Sequence, residues 1–300
     1  MAQSTPSQRL LDPEVLARLS NLPLVARTVV EGFLVGLHRS PFFGFSQEFA
    51  EYRPYEVGDD PRFIDWNVFA RTDRTYLKRF LGETNTHLMI LLDASGSMDF
   101  RSAELSKLDY AKLLVASLAY LATRQHDAVG LMVFDDAMRE YRAPSSRRGQ
   151  LAGLLHMLDS VEARAGTDMD VPFQRFRELV GRRGMVAVVS DFYCDPGALL
   201  RSVKPLAARG QDVVLFQVMD PDELSLELRE STLLEDLESG AAMEVDPQYA
   251  RGEYRDRIEA HVNELKRTAS QFGIDHLVMR TSDPLDPALR RYLLFRQRHF

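Results

Sequence analysis

His87-Leu88-Met89-Ile90-Leu91-Leu92-Asp93-Ala94-Ser95-Gly96-Ser97 is the stretch on which the fold turns. From His87 to Leu92 it runs apolar without alternation, which is the mark of a strand covered on both faces. It then breaks at once into a carboxylate and two hydroxyls around a glycine. A strand covered on both faces needs helices above and below it, and the sequence on either side supplies them.

Downstream, Lys107 to Thr123 has helical periodicity. Ala128–Phe134 and Met138–Arg142 are close enough to pair as a hairpin through Asp135-Asp136. Helical stretches at Arg148–Asp159 and Val171–Val180 lead into a second buried-strand run, Met185–Val189. Gly197–Ala208 reads as helix and Val213–Val218 as strand. A second hairpin is expected between Ser231 and Val245, turning at Glu238-Ser239-Gly240. A long charged helix from Pro247 to Phe272, a strand at His276–Met279 and a last helix near Pro287–Phe295 complete the chain. Strands alternating with helices imply right-handed crossovers and a mostly parallel sheet. The fold class is therefore α/β, doubly wound, with helices on both faces of the sheet.

Upstream, Pro13–Leu19 and Leu24–Leu37 carry helical apolar spacing, with Asp12 before Pro13 as a cap and first-turn pair. From Ser40 to Glu83 short aromatic and charged alternation is punctuated by Gly44, Pro54, Gly58 and Pro61. That pattern favours short strands and loops over helix. Residues 1–84 read as an N-terminal extension, and 85–300 as the α/β domain with a hairpin insertion near 231–245.

With 300 residues, 45% of them hydrophobic and 27% charged, the chain can bury a core without staples. Lys and Arg number 37 against 44 Asp and Glu, for a formal charge of −7. Non-specific nucleic-acid binding needs a basic surface to displace counterions, so that class is disfavoured. The C-terminal arginines Arg290, Arg291, Arg296 and Arg298 are the one basic cluster, and a solvated face explains them. The single cysteine, Cys194, cannot form an internal disulfide, which points to a reducing compartment. No stretch approaches the roughly 18 apolar residues of a membrane span. The polar Met1–Ser7 segment lacks a basic-then-apolar secretory pattern, so the expected location is cytoplasmic.

In an open doubly wound sheet, ligands bind outside the carboxyl ends of the strands, where strand order reverses. The first buried strand ends in Asp93-Ala94-Ser95-Gly96-Ser97, and the Met185–Val189 strand ends in Ser190-Asp191-Phe192. Between them a loop reads Ala165-Gly166-Thr167-Asp168. These are oxygen donors throughout, suited to a hard divalent ion such as Mg²⁺, with Mn²⁺ or Ca²⁺ as alternatives. Few carboxylates among neutral hydroxyls leave such an ion an acceptor for an incoming carboxylate. Against this stands a plainer reading, in which Asp93, Ser95 and Ser97 cap the Lys107 helix region or its lead-in. For Asp168 a turn or cap is the expected role. No two of the seven histidines are three or four apart, which gives no zinc signature.

The arrangement resembles the metal-ion-dependent adhesion site of von Willebrand factor A domains. That resemblance implies Asp93, Ser95 and Ser97 as the first motif, Thr167 as the second and Asp191 as the third. It also implies direct ligation by the hydroxyls, water-mediated aspartates and one position open to a partner's acidic residue. A longer signature lies upstream: Arg53-Pro54-Tyr55-Glu56-Val57-Gly58-Asp59-Asp60-Pro61-Arg62-Phe63-Ile64-Asp65-Trp66, then Ala70-Arg71-Thr72, Tyr76-Leu77-Lys78 and Glu83. It is very similar to the prokaryotic family known as domain of unknown function 58. The resemblance implies a von Willebrand A-like domain with a β-rich addition, and a MoxR-type AAA+ ATPase as partner. Many relatives carry transmembrane helices ahead of this region. On a plainer reading, Arg53, Asp59, Asp60, Arg62, Asp65 and Arg71 form a salt-bridge network that pins the extension to the α/β domain. Trp66 reads as a packing anchor.

Two function classes follow. The first is a non-enzymatic interaction module gripping a partner carboxylate through Mg²⁺. The second is a metal-dependent hydrolase or phosphoryl-transfer enzyme using the same ion as Lewis acid. The chain has no Gly-x-x-x-x-Gly-Lys loop, and Ser95 lacks the Gly-x-Ser-x-Gly setting of a nucleophile elbow. The interaction module is the expectation, with no catalytic residue assigned.

Overall fold

The structure, a computed structural model, describes residues 21–38, 49–55, 66–72, 74–80, 86–164, 166, 168–226, 231–235, 237, 240–247 and 250–298. The expected helix at Pro13–Leu19, the second turn of the Ser231–Val245 hairpin at Glu238-Ser239, and Gly58, Asp59, Asp60, Arg62, Asp65 and Thr167 lie outside these residues.

The chain begins with α1 (Leu22–His38), β1 (Phe49–Pro54), α2 (Trp66–Thr72) and β2 (Tyr76–Phe80). The central unit follows: β3 (His87–Asp93), α3 (Lys107–Arg124), β4 (Ala128–Phe134), β5 (Met138–Ser145), α4 (Gln150–Asp159), α5 (Asp170–Leu179), β6 (Gly184–Ser190), α6 (Pro196–Ala208), β7 (Asp212–Met219) and α7 (Pro221–Leu224). A two-stranded hairpin, β8 (Thr232–Glu235) and β9 (Ala242–Val245), precedes α8 (Arg255–Ser270), β10 (Asp275–Arg280) and α9 (Asp286–Arg298).

The six-stranded sheet has the order β10-β7-β6-β3-β4-β5. All neighbours are parallel except β5, which returns antiparallel along β4 at the edge. Chain order therefore runs outward in both directions from β3 and reverses between β3 and β6. This is the doubly wound arrangement, and its switch point lies where Asp93 and Ser190 end their strands.

Alternation along β3 explains the two layers. Leu88, Ile90 and Leu92 enter one core with α1, α3, α4 and α9, while Met89 and Leu91 enter the other with α5, α6 and α8. Val25, Ala26, Val29, Val30 and Phe33 of α1 are buried in the first core. Their spacing puts them on one stripe of the helix. The start of α3 is fixed by a reciprocal capping box, with the Ser106 hydroxyl accepting from the Asp109 N–H and the Asp109 carboxylate accepting from Ser106. The far end of the sheet is closed by α9, whose Arg291 pairs with Asp212 and Asp275 and whose Tyr292 and Arg296 engage Asp127.

Two local readings change. The stretch expected as short strands and loops contains the antiparallel β1–β2 pair but also the helix α2. Residues 66–72 hold no glycine or proline, and Trp66 and Phe69 meet edge-on at 6.0 Å across one turn, so a short helix closes there. The long charged helix does not start at Pro247: a π-helical turn, Ala250–Tyr254, precedes α8.

Candidate functional site

Asp93 is the last residue of β3 and has no solvent exposure. One carboxylate oxygen, Oδ1, accepts from the Ser95 N–H at 2.9 Å, and Oδ2 accepts from the Ser190 hydroxyl at 2.6 Å. Gly96–Asp99 form a single 3-10 turn with Ser95 as its first flanking residue, yet the Ser95 side chain makes no cap hydrogen bond. Its hydroxyl instead faces that of Ser97 at 3.2 Å. The motif does not cap α3 itself, because Ser106 holds that position; Ser95 instead flanks the 3-10 turn in the lead-in to the helix.

The loop after α4 is stitched to the same strand end. The Arg164 N–H donates to the Ala94 carbonyl at 2.9 Å, and Ser95 and Arg164 form a parallel bridge. Two residues on, Gly166 adopts φ +99°, a conformation open to glycine, beside Asp136. Asp168 is exposed, and its carboxylate accepts from the Asp170 N–H at 2.8 Å, the turn role expected of it.

Asp191 follows β6 directly and is 2% exposed. Its Oδ2 accepts from Lys107 Nζ at 2.7 Å, its Oδ1 from the Tyr193 N–H at 3.3 Å, and its carbonyl from Gln217 Nε2 at 2.9 Å. His276 in turn holds the Gln217 side chain at 2.9 Å. Phe192 has φ +54°, uncommon for a residue with a bulky side chain. Its N–H donates to Ser190 Oγ at 2.9 Å and its carbonyl accepts from His261 Nε2 at 2.9 Å, which holds the turn in place.

The sequence reading missed two charged residues of this cluster. Lys107, the first residue of α3, is fully buried between Asp191 and Glu223, whose Oε1 lies 2.6 Å from its Nζ. Each had a trace in the sequence: a lysine at the first position of a helix, where the dipole disfavours a positive charge, and an Asp220-x-x-Glu223 spacing that closes a capping box on α7.

Electrostatics follow from this burial. Loss of water and then the negative charge of Asp191 push the Asp93 carboxyl up to about 7, against the pull of its hydrogen bonds from Ser190 and Ser95. Burial alone would discharge Lys107, but Asp191 and Glu223 outweigh it and hold the ammonium above its ordinary range. Burial raises Glu223, with Lys107 opposing. Cys194, next to this loop, is pushed up to about 12 by burial and then by surrounding carboxylates, so it is a protonated thiol at neutral pH.

The structure thus brings Asp93, Ser95, Ser97, Ser190 and Asp191 together. Among the described residues no cluster of three or more His, Cys, Asp or Glu could hold a metal ion, so any cation here would depend on the hydroxyls. Of the upstream signature, Arg53 lies on β1, the Tyr55 N–H donates to the Thr75 carbonyl at 3.0 Å, and Arg71 is exposed on α2. Trp66 is 60% exposed against Phe69, so it is not the core anchor expected. No hydrogen bond or ion pair among the described residues links Tyr55, Trp66 or Arg71 to Asp93 or Asp191. No helix among them is long and apolar enough to cross a membrane.

Comparison with known proteins places these features in context. The sequence profile of the family described as "Protein of unknown function DUF58" matches residues 51–267. An uncharacterised protein of Mycobacterium tuberculosis is 30% identical over 292 residues, covering 96% of this chain and 91% of its own. Among solved structures, the conserved hypothetical protein BatB of Bacteroides thetaiotaomicron is 18% identical. It superposes with a TM-score of 0.47 over 70% of this chain and 97% of its own. The SpRpn10 VWA domain is 14% identical, with a TM-score of 0.42 over 69% of this chain and 95% of its own.

Proposed function

The chain belongs to the DUF58 family of proteins of unknown function, and we propose that it is a protein-interaction module that captures a partner's carboxylate through a divalent cation. The observation that carries this reading is the pair of buried carboxylates, Asp93 and Asp191, set side by side at the switch point of the sheet. Two carboxylates held together in the interior repel one another, and Lys107 answers only part of their charge. A divalent cation would offset that repulsion.

The residues fit the ion chemically. Asp93, Ser95, Ser97 and Asp191, with Thr167 as the family resemblance implies, offer oxygen donors alone, which suits Mg²⁺ and Mn²⁺ better than a zinc-type ion. When bound, the ion supplies a concentrated positive charge with room for a carboxylate oxygen from outside. The fold supplies rigidity: Ser190 and the Ser95 N–H fix Asp93, while Tyr193, Gln217 and Lys107 fix Asp191. The proposed partner is a MoxR-type AAA+ ATPase, the class implied by the family resemblance. A hydrolytic reading gains nothing from the geometry. The nearest hydroxyls face each other or Asp93, and the His261 imidazole is engaged by the Phe192 carbonyl.

The test is binding of the purified cognate MoxR-type ATPase to the full chain in Mg²⁺ and in EDTA, with Asp93→Ala as control. Binding that needs both metal and Asp93 supports the module. Equal binding in all three conditions refutes it.

A further inference from the structure

Lys107 is a charged side chain in a place where several preferences oppose one. It opens α3, where the helix dipole already presents partial positive charge. It has no solvent exposure, and lysine is almost never fully buried unless paired. Its ammonium lies 2.7 Å from Asp191 Oδ2 and 2.6 Å from Glu223 Oε1, with the Tyr193 ring centred 4.7 Å away. Glu223 is itself anchored: Oε2 accepts from the Asp220 N–H at 3.0 Å, and its carbonyl accepts from the Tyr254 hydroxyl at 3.0 Å. The ammonium is built in from three elements, α3, the β6 end and α7.

We propose that Lys107 removes one unit of negative charge from the site and so shifts its preference from a trivalent toward a divalent cation. This rests on the cation-binding reading above and adds a specificity-determining residue to it. The buried carboxylates Asp93, Asp191, Glu223 and Asp220 surround the region, and the Lys107 ammonium offsets one of them. Removing the ammonium makes the site one charge more negative, and a trivalent ion gains more from that added charge than a divalent one. Asp220, whose carboxylate is held by Ser102 and the Asp222 N–H, is common to every variant below and cancels from the comparison.

The experiment is isothermal titration of the full chain with Mn²⁺ and with Tb³⁺ across a charge series. Relative to the wild type, Glu223→Gln makes the site one charge less negative, the double variant Lys107→Met/Glu223→Gln leaves it unchanged, and Lys107→Met makes it one charge more negative. The preference for Tb³⁺ over Mn²⁺ is expected to rise roughly tenfold or more with each added negative charge. The double variant, although it has lost both side chains, is expected to match the wild type. A residue with a merely structural role would not produce that coincidence. A flat ratio across the series, or a double variant that follows Lys107→Met, overturns the assignment. If Lys107→Met does not fold, Glu223→Gln against the wild type and the double variant still decides it. A wild type that binds neither ion refutes the cation-binding reading itself and this inference with it, whereas a wild type that binds both with a flat ratio refutes only the role of Lys107.

Discussion

Replacing Asp93 by Asn is expected to stabilise the metal-free protein. In the folded state the Asp93 carboxyl stands at about 7, against 3.8 for the free side chain. The folded chain therefore binds more protons than the unfolded chain across that window, and stability falls as pH rises through it. Above the window the ionised carboxylate costs about 4 kcal/mol, from roughly 3 pH units at 1.36 kcal/mol each. Asn removes the charge but not without loss. Its amide oxygen can still accept from the Ser95 N–H, whereas its NH₂ group faces Ser190 Oγ, whose proton must find another acceptor. That exchange costs about 1–2 kcal/mol. The net gain at pH 8 is about 2 kcal/mol, or a few degrees in Tm for a chain of this size. Urea unfolding in EDTA, followed by circular dichroism between pH 5 and 8.5, measures it. The wild type is expected to lose stability up to about pH 7 and then level off, and Asp93→Asn to lack that component. Added Mg²⁺ at a hundredfold excess over its Kd is expected to restore about 2.7 kcal/mol to the wild type and nothing to the variant. An Asp93→Asn protein less stable than the wild type at pH 8 in EDTA would refute the charge-repulsion account.

Two further outcomes test the fold and its chemistry. Phe33 of α1 is 2% exposed in the core it shares with α3 and α9, so Phe33→Ala is expected to cost about 3–5 kcal/mol by urea titration; a loss under 1 kcal/mol would mean that α1 does not pack there in solution. Cys194, with its thiol pushed up to about 12, has about one molecule in ten thousand as thiolate at pH 8. Iodoacetamide is expected to label it only after denaturation, as read by intact mass, and rapid labelling of the native chain would contradict the burial.

The parts of this molecule that follow from local pattern were legible in the sequence. β3, β6 and β7 announce themselves as apolar runs, and alternation with amphipathic helices dictates a doubly wound sheet before any contact is known. The site's place follows from that topology, since Asp93 and Asp191 end strands on either side of the reversal. What local pattern cannot show is pairing across long separations. Lys107 meets Asp191 and Glu223, which are 84 and 116 positions away, and in sequence Lys107 and Glu223 each look like an ordinary charged residue near a helix start. The helix α2 was lost for a different reason. Seven residues carry too few turns for periodicity to register against the Gly58 and Pro61 breaks ahead of them and the strand that follows.

The burial of this cluster also separates two roles that a bound cation could have. An ion that served only to hold the fold together would be best enclosed on all sides, and Asp93, Ser95 and Asp191 do sit almost wholly out of solvent. Ser97 does not: it is half-buried, and it lies beside the hydroxyl of Ser95. Among the described residues of the cluster, Ser97 on the 3-10 turn is the one that reaches solvent. Meanwhile the buried part carries features that a fold selected for stability alone would discard, among them Phe192 at positive φ and a lysine buried at a helix start. Replacing a buried ion pair with well-packed apolar side chains is often neutral or stabilising. The buried charges and the strained turn at Phe192 therefore cost stability, which is the cost the proposed cation-binding role would account for.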